Sequence, residues 1–264
     1  MKPVAAALST LLLCLAPASH ASEQSARIVT LTPHATEMVF AAGAGGQVVA
    51  TVESSNYPPA AQGIERIGDG LNTSAEQVLA YTPDWVVGWP SPLMSQLQSL
   101  GIRTWVSSPE SLEAIGTEVL AMADSFGDQE VARDWHDHYI ERLGQMGGQS
   151  DQPINVVVLA STDGQFVIGQ HALINDALAR CAAVNAFGHS RAQAPQVSLE
   201  GLIAVKPDVL ISGRALDKSA AVPATTPLRV VDADTLYRPG PRFIEAALEI
   251  CHLVQQLQAE IENR

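Results

Sequence analysis

Apolar residues along this chain alternate between two spacings, short β-branched runs and longer segments with apolar positions three and four apart. Arg27 to Leu31, Gln47 to Val52, Trp85 to Val87 and Thr104 to Val106 read as strands. Between them, Thr32-Pro33-His34 opens a helical pattern with Met38, Val39 and Ala42 apolar, ended by Gly43, Gly45 and Gly46, and a later helix runs to Leu100 with Gly101 as its cap. Ser108-Pro109 opens a helix with Leu112, Ile115, Val119, Met122 and Phe126 on one face. After Gly127 the pattern restarts at Asp128, carries Val131, Trp135, Tyr139 and Met146 along one side, and closes at Gly147-Gly148. The second half repeats the alternation. Asn155 to Leu159 reads as a buried strand, followed by Phe166-Val167-Ile168-Gly169, a helix from Ala172 to Cys181, a last strand at Leu228 to Val231, and a final helix with Phe243, Ala247, Ile250, Val254 and Leu257 inward. Strand and helix in turn predict an α/β protein with helices on the faces of parallel or mixed sheets.

One unit occurs twice. Ser74-Ala75-Glu76 leads through Thr82-Pro83-Asp84 into an apolar strand, and Ser198-Leu199-Glu200 leads through Lys206-Pro207-Asp208 into another. Glu76 and Glu200 lie 124 positions apart, as do Pro83 and Pro207. Each copy predicts a serine-capped helix, a stop at the residue before proline, and a buried strand. Its glutamate falls in the first turn, where a carboxylate suits the unpaired N–H groups. A period this long is no solenoid, so it predicts two similar lobes. The helix from Asp128 lies midway between the copies and is the natural connector; at about 19 residues it would extend roughly 28 Å. The predicted organisation is an N-terminal α/β lobe at 22–127, a rigid interlobe helix at 128–148 and a C-terminal α/β lobe at 149–264.

Residues 1–21 read as a signal peptide: Met1-Lys2 is basic, Val4 to Ala16 is apolar, and Ser19-His20-Ala21 offers small residues for cleavage before Ser22. Cys14 follows Leu11-Leu12-Leu13, not the small residue that lipid attachment favours. An exported, periplasmic protein is expected, monomeric when free. Export leaves Cys181 and Cys251 in an oxidising compartment, where an even pair predicts a disulfide. The formal charge is -13, or -14 without Lys2, with 14 basic against 28 acidic residues. That balance argues against a nucleic-acid partner and against an anionic membrane surface.

No nucleophile elbow, metalloprotease helix, phosphate loop or dinucleotide fingerprint is present, so no enzyme is expected and no cofactor is assigned. His136 and His138 are two apart on a helix and point away from each other, while His34, His171 and His189 leave metal binding across a cleft as an alternative. Trp89, Phe166, Tyr57 and Tyr237 follow strands or lie in loops, where ligand contacts concentrate at the carboxyl edge of an α/β sheet. Asp234 and Arg238, four apart before the last helix, read either as a local ion pair or as polar groups facing a ligand.

The paired Ser-x-Glu helices with Pro-Asp, together with Thr32-Pro33-His34-Ala35-Thr36-Glu37, Tyr57-Pro58-Pro59, the Cys181 region and Pro241-Arg242 before Cys251, resemble the periplasmic cobalamin-binding proteins, over nearly all of the predicted mature chain. The resemblance implies the helical-backbone class of binding protein, with two α/β lobes, one rigid interlobe helix, and a corrinoid held in the cleft and passed to an ABC permease dimer. It implies that Glu76 and Glu200 dock on permease arginines, as a carboxylate meeting a guanidinium can. It also implies ligand contacts at Trp89, Phe166, Asp234 and Arg238. Where the family places three further aromatics, this chain has Ser54, Gly70 and Ala194. That departure keeps haem, a siderophore or a metal open as alternative cargo.

Overall fold

A computed structural model describes residues 25–148 and 150–263; the signal-peptide expectation and Cys14 lie outside the described residues. In the first lobe β1 (Ile28–Thr30), α1 (Pro33–Ala41), β2 (Val48–Ala50), α2 (Ala75–Leu79), β3 (Trp85–Gly88), α3 (Pro92–Ser99) and β4 (Arg103–Val106) follow in order. Next come α4 (Leu112–Phe126) and α5 (Gln129–Leu143). The second lobe contains β5 (Ile154–Leu159), α6 (Ala172–Arg180), β6 (Ala183–Asn185), α7 (Leu199–Ala204), β7 (Val209–Ser212), β8 (Leu228–Val230), α8 (Ala233–Leu236) and α9 (Phe243–Glu262). The sheets have the same order, β2-β1-β3-β4 and β6-β5-β7-β8, and every pairing between these strands is parallel.

The duplication extends to individual hydrogen bonds. Ser74 and Ser198 cap α2 and α7 with nearly the same backbone angles, and Thr82 and Lys206 both take positive φ, 45° and 48°, where each helix turns into its strand. The aspartate of each Pro-Asp pair then fastens the neighbouring strand: Asp84 accepts from the Arg27 amide at 2.8 Å, and Asp208 from the Asn155 amide at 2.7 Å. Arg27 and Asn155 also donate their side-chain N–H groups to the carbonyls that end the helices, Tyr81 and Thr82 in one lobe, Val205 and Lys206 in the other. Each aspartate, with the bonds to those carbonyls, therefore fixes the carboxyl end of its helix against the start of its sheet.

Helix α5 is the link between lobes, and α4 lies antiparallel beside it, with Leu112 opposite Tyr139 and Gly116 opposite His136. Asp128 caps α5 with its carboxylate, and the closeness of the chain at Gly127 to the Ala42 carbonyl leaves no room for a Cβ, which is why a glycine separates the helices. The connector expected over 128–148 is shorter, 15 residues or about 22 Å, because the helical pattern stops at Gly144 and Gly148 instead bridges Cys181. At the far end α4 reaches the second lobe: Asp176 accepts from the Leu112 amide at 3.0 Å and Arg180 pairs with Glu113 at 2.5 Å. One buried core runs from Ile28 and Met38 through Ile115 and Tyr139 to Ile174 and Ile250, so both lobes pack on the helix pair. The disulfide joins Cys181 to Cys251, as the paired cysteines predict, and fastens α9 to the end of α6.

Candidate ligand cleft and lobe tips

The loops that leave the carboxyl ends of the strands build a cleft with two unlike walls. After β1, Leu31 to His34 turn into α1, whose N-terminus is capped by Thr32 with Pro33 in the first turn. After β3, Trp89-Pro90 turns into α3, capped by Ser91. With Leu71 these segments line a cavity of about 500 Å³ on the first lobe, mostly apolar. On the second lobe Ser161 and Thr162 after β5, Arg214 after β7, and Asp234 on α8 line a cavity of about 420 Å³. Tyr237 and Arg238 line both, so the two spaces adjoin along them.

Trp89 is 47% exposed and lies over His34, with ring centroids 5.1 Å apart. His34 is itself buried, and burial holds its imidazole down at about pKa 4, against a raising hydrogen bond to the Ser107 backbone and with Arg238 pushing further down. Its Nε2 has no hydrogen-bond partner among the described residues. Tyr237 is fixed from both sides: its hydroxyl donates to the Leu159 carbonyl at 2.6 Å and accepts from the Gly213 amide at 2.9 Å. The ring therefore forms a rigid floor and the hydroxyl is committed.

Asp234 and Arg238 pair at 2.7 Å across one helical turn, and the pair faces the cleft. Sequence reasoning missed what crosses from the other lobe. Asn56, after β2, bonds both members, and Glu37 on α1 lies 3.8 Å from Arg238 and 2.7 Å from Arg242. Burial pushes the Glu37 carboxyl up while the Arg242 and Arg238 guanidinium groups pull it down; Arg242 itself is raised by Glu37. Arg242 also stacks over the Tyr57 ring at 4.3 Å. These contacts span 178 to 205 positions of sequence, so no local pattern could have revealed them.

Phe166 stands apart from the other expected contacts. It is 39% exposed, and among the described residues it lines neither cavity; its amide donates to Ser161, placing it just beyond the second-lobe rim. Of the three positions without aromatics, Gly70 lines the apolar cavity, with φ of 83°, and a Cβ there would meet the Leu31 carbonyl at 2.7 Å and Val52 at 2.9 Å. A side chain at 70 therefore needs a different backbone. Ser54 and Ala194 are exposed and line neither cavity.

Glu76 and Glu200 are fully exposed in the first turns of α2 and α7. Their carboxyls are held below the usual range by their own backbone amides and then by the capping serines. A helix between two parallel strands starts at the carboxyl edge of its sheet, so both glutamates stand on the edge from which the cleft loops also leave. The histidine alternative is not assembled: His171 caps α6 through Nδ1, and among the described residues no three His, Cys, Asp or Glu side chains form a metal-binding group.

The model of the family described as periplasmic binding protein matches residues 28–223. The chain belongs to that family. Periplasmic binding proteins of this kind are non-enzymatic solute-capturing components of ABC importers. The chain is 31% identical over 258 residues to a vitamin B12-binding protein of Pectobacterium carotovorum, covering 92% of each. It is 28% identical over 250 residues to one of Vibrio cholerae, covering 89% of this chain and 91% of the relative. Among solved structures, the vitamin B12-binding protein BtuF of Vibrio cholerae superposes with a TM-score of 0.79 at 28% identity, covering 89% of this chain and 98% of that one. The heme-binding protein RhuT of Roseiflexus sp. RS-1 superposes at 0.73 and 24% identity, over 88% and 99%, a likeness of fold.

Proposed function

We propose that this periplasmic binding protein captures cobalamin or a related corrinoid between its lobes and delivers it to an ABC permease dimer, docking through Glu76 and Glu200. The observation that carries this reading is the pairing of an apolar wall holding Trp89 with a polar wall holding Asp234 and Arg238 across a shared floor. A corrin is a broad disc, apolar on its faces and fringed with amides, and it suits a site with one flat aromatic wall and one hydrogen-bonding wall. Trp89, Asp234 and Arg238 take the ligand directly; Phe166 meets only a part that extends past Ser161. Export by residues 1–21 and residence in the periplasm as a free monomer complete the proposal.

Haem is the second reading, favoured by one feature, the unpartnered Nε2 of His34 beside the apolar cavity. Against it, Tyr237 has already committed its hydroxyl. Calorimetry separates the two. Cyanocobalamin or cobinamide is expected to bind with a submicromolar Kd, worth about 8 kcal/mol or more; binding of haemin with neither corrinoid bound overturns the proposal in favour of the second reading.

A further inference from the structure

The polar wall of the cleft already holds a guest. Asn56 Nδ2 donates to Asp234 Oδ2 at 2.7 Å, Asn56 Oδ1 accepts from Arg238 Nη1 at 2.7 Å, and Arg238 Nη2 donates to Asp234 Oδ1 at 2.7 Å. The three bonds close a ring in which both bonds to Asn56 are made with a charged partner. Such a seat specifies one functional group. It needs an N–H toward the carboxylate and, beside it, an oxygen acceptor toward the guanidinium, which is the edge of a primary carboxamide. A carboxylate in that place would set a second negative oxygen against Asp234, and a hydroxyl would have to donate and accept from a single atom where the amide offers two side by side. Asn56 reaches the seat from an exposed loop of the opposite lobe, and both members of the fork line the cleft.

We infer that Asn56 is a tethered occupant of the Asp234–Arg238 pair, a stand-in whose side-chain amide a ligand amide displaces. This rests on the corrinoid reading and deepens it, because it names the atoms that distinguish an amide-fringed disc from a carboxylate-fringed one. Displacement exchanges two hydrogen bonds for two of the same kind, so Asn56 acts as an intramolecular competitor whose effective concentration is set by its loop. Entry of the ligand also releases one crossing between lobes and leaves the Glu37–Arg242 pair in place.

Calorimetry with dicyanocobinamide on the wild type, Asn56→Ala, Asp234→Ala and the double variant tests the idea. Removing the competitor is expected to tighten binding about fivefold, a modest hydrogen-bond-sized effect, and the gain is expected to vanish in the Asp234→Ala background. Unchanged or weaker binding by Asn56→Ala, or a gain that survives Asp234→Ala, overturns it. A second measurement needs no corrinoid. In the full-length mature protein, the Asn56 side-chain amide resonances, assigned by their loss in Asn56→Ala, are expected to move when acetamide is titrated in and to stay when acetate replaces it at equal ionic strength. Movement with acetate, or with neither, overturns the subsite even if the wild type proves to bind no corrinoid, which by itself refutes only the corrinoid reading.

Discussion

Protonation of His34 should drive the acid limb of the stability curve. Its folded pKa is about 4, against about 6.5 for the unfolded chain, because burial disfavours the imidazolium and Arg238 repels it. The unfolded chain therefore binds the proton more readily. The resulting stabilisation is complete above about pH 6.5 and is lost as pH falls toward 4. At about 1.4 kcal/mol per pKa unit, the loss over that window is roughly 3 kcal/mol, a large part of an ordinary domain's stability. His171 is also lowered by burial and acts in the same direction, while Glu37, raised by burial, acts in the opposite one. A difference measurement removes both. Urea unfolding of the wild type, His34→Gln and His34→Leu between pH 7 and 4 is expected to show each variant gaining on the wild type by about 3 kcal/mol as pH falls. Parallel curves refute the reasoning, as does an imidazole resonance of His34 that titrates near pH 6.5 in the folded protein.

Charge reversal at both lobe tips, Glu76→Lys with Glu200→Lys, is expected to abolish vesicle uptake through the permease while calorimetric ligand affinity stays within twofold, since both side chains stand free in solvent; unaltered uptake refutes docking. Replacing Cys181 and Cys251 by alanine opens a loop of 70 residues and should cost about 2 to 4 kcal/mol in denaturant unfolding; no loss would mean that α9 is held by packing alone. Glu37→Ala removes a buried carboxylate and leaves the partly buried Arg242 without its partner, and should destabilise by about 2 to 3 kcal/mol. Glu37→Gln, which keeps an acceptor and removes a costly buried charge, should recover most of that loss, and equal losses in the two variants would refute the role given to burial.

Much of the scaffold was legible because it is written locally. The serine caps, the Pro-Asp stops and the runs before and after them announced α2, β3, α7 and β7 in matching places. Two elements were not: β6 (Ala183–Asn185) is as short as β1 but carries one β-branched residue where β1 carries three, and α8 (Ala233–Leu236) is a single turn in which no helical period can emerge. Trp89, Asp234 and Arg238 were readable as candidates because each follows a strand or lies at the start of a helix, and all three line the cavities. Phe166 obeyed the same rule, yet its segment pairs through isolated bridges, Val167 with Leu159 and Phe166 with Gln196, and among the described residues it lines neither cavity. Asn56, Glu37 and Arg242 gave no such signal, because their meaning exists only once the lobes meet.

The two glutamate-bearing tips and the cleft between them answer to different constraints. Each glutamate-bearing helix is set by residues of its own repeat, the serine that caps its start and, behind its end, the aspartate that accepts from a neighbouring strand, so duplication copies its geometry intact. The cleft has no such template: its first-lobe wall is apolar, its second-lobe wall polar, and the residues that join them, Asn56 with Asp234 and Glu37 with Arg242, have no repeat counterparts in those roles. On the proposed function, a pair of docking points needs matching halves to meet a two-fold partner, whereas a pocket for an unsymmetrical solute needs unlike walls. A chain built from one repeat twice meets both demands only if the copies agree in their capped helices and differ in their strand-end loops, and that is the division seen between α2 and α7 on one side and the segments at Trp89 and Ser161 on the other.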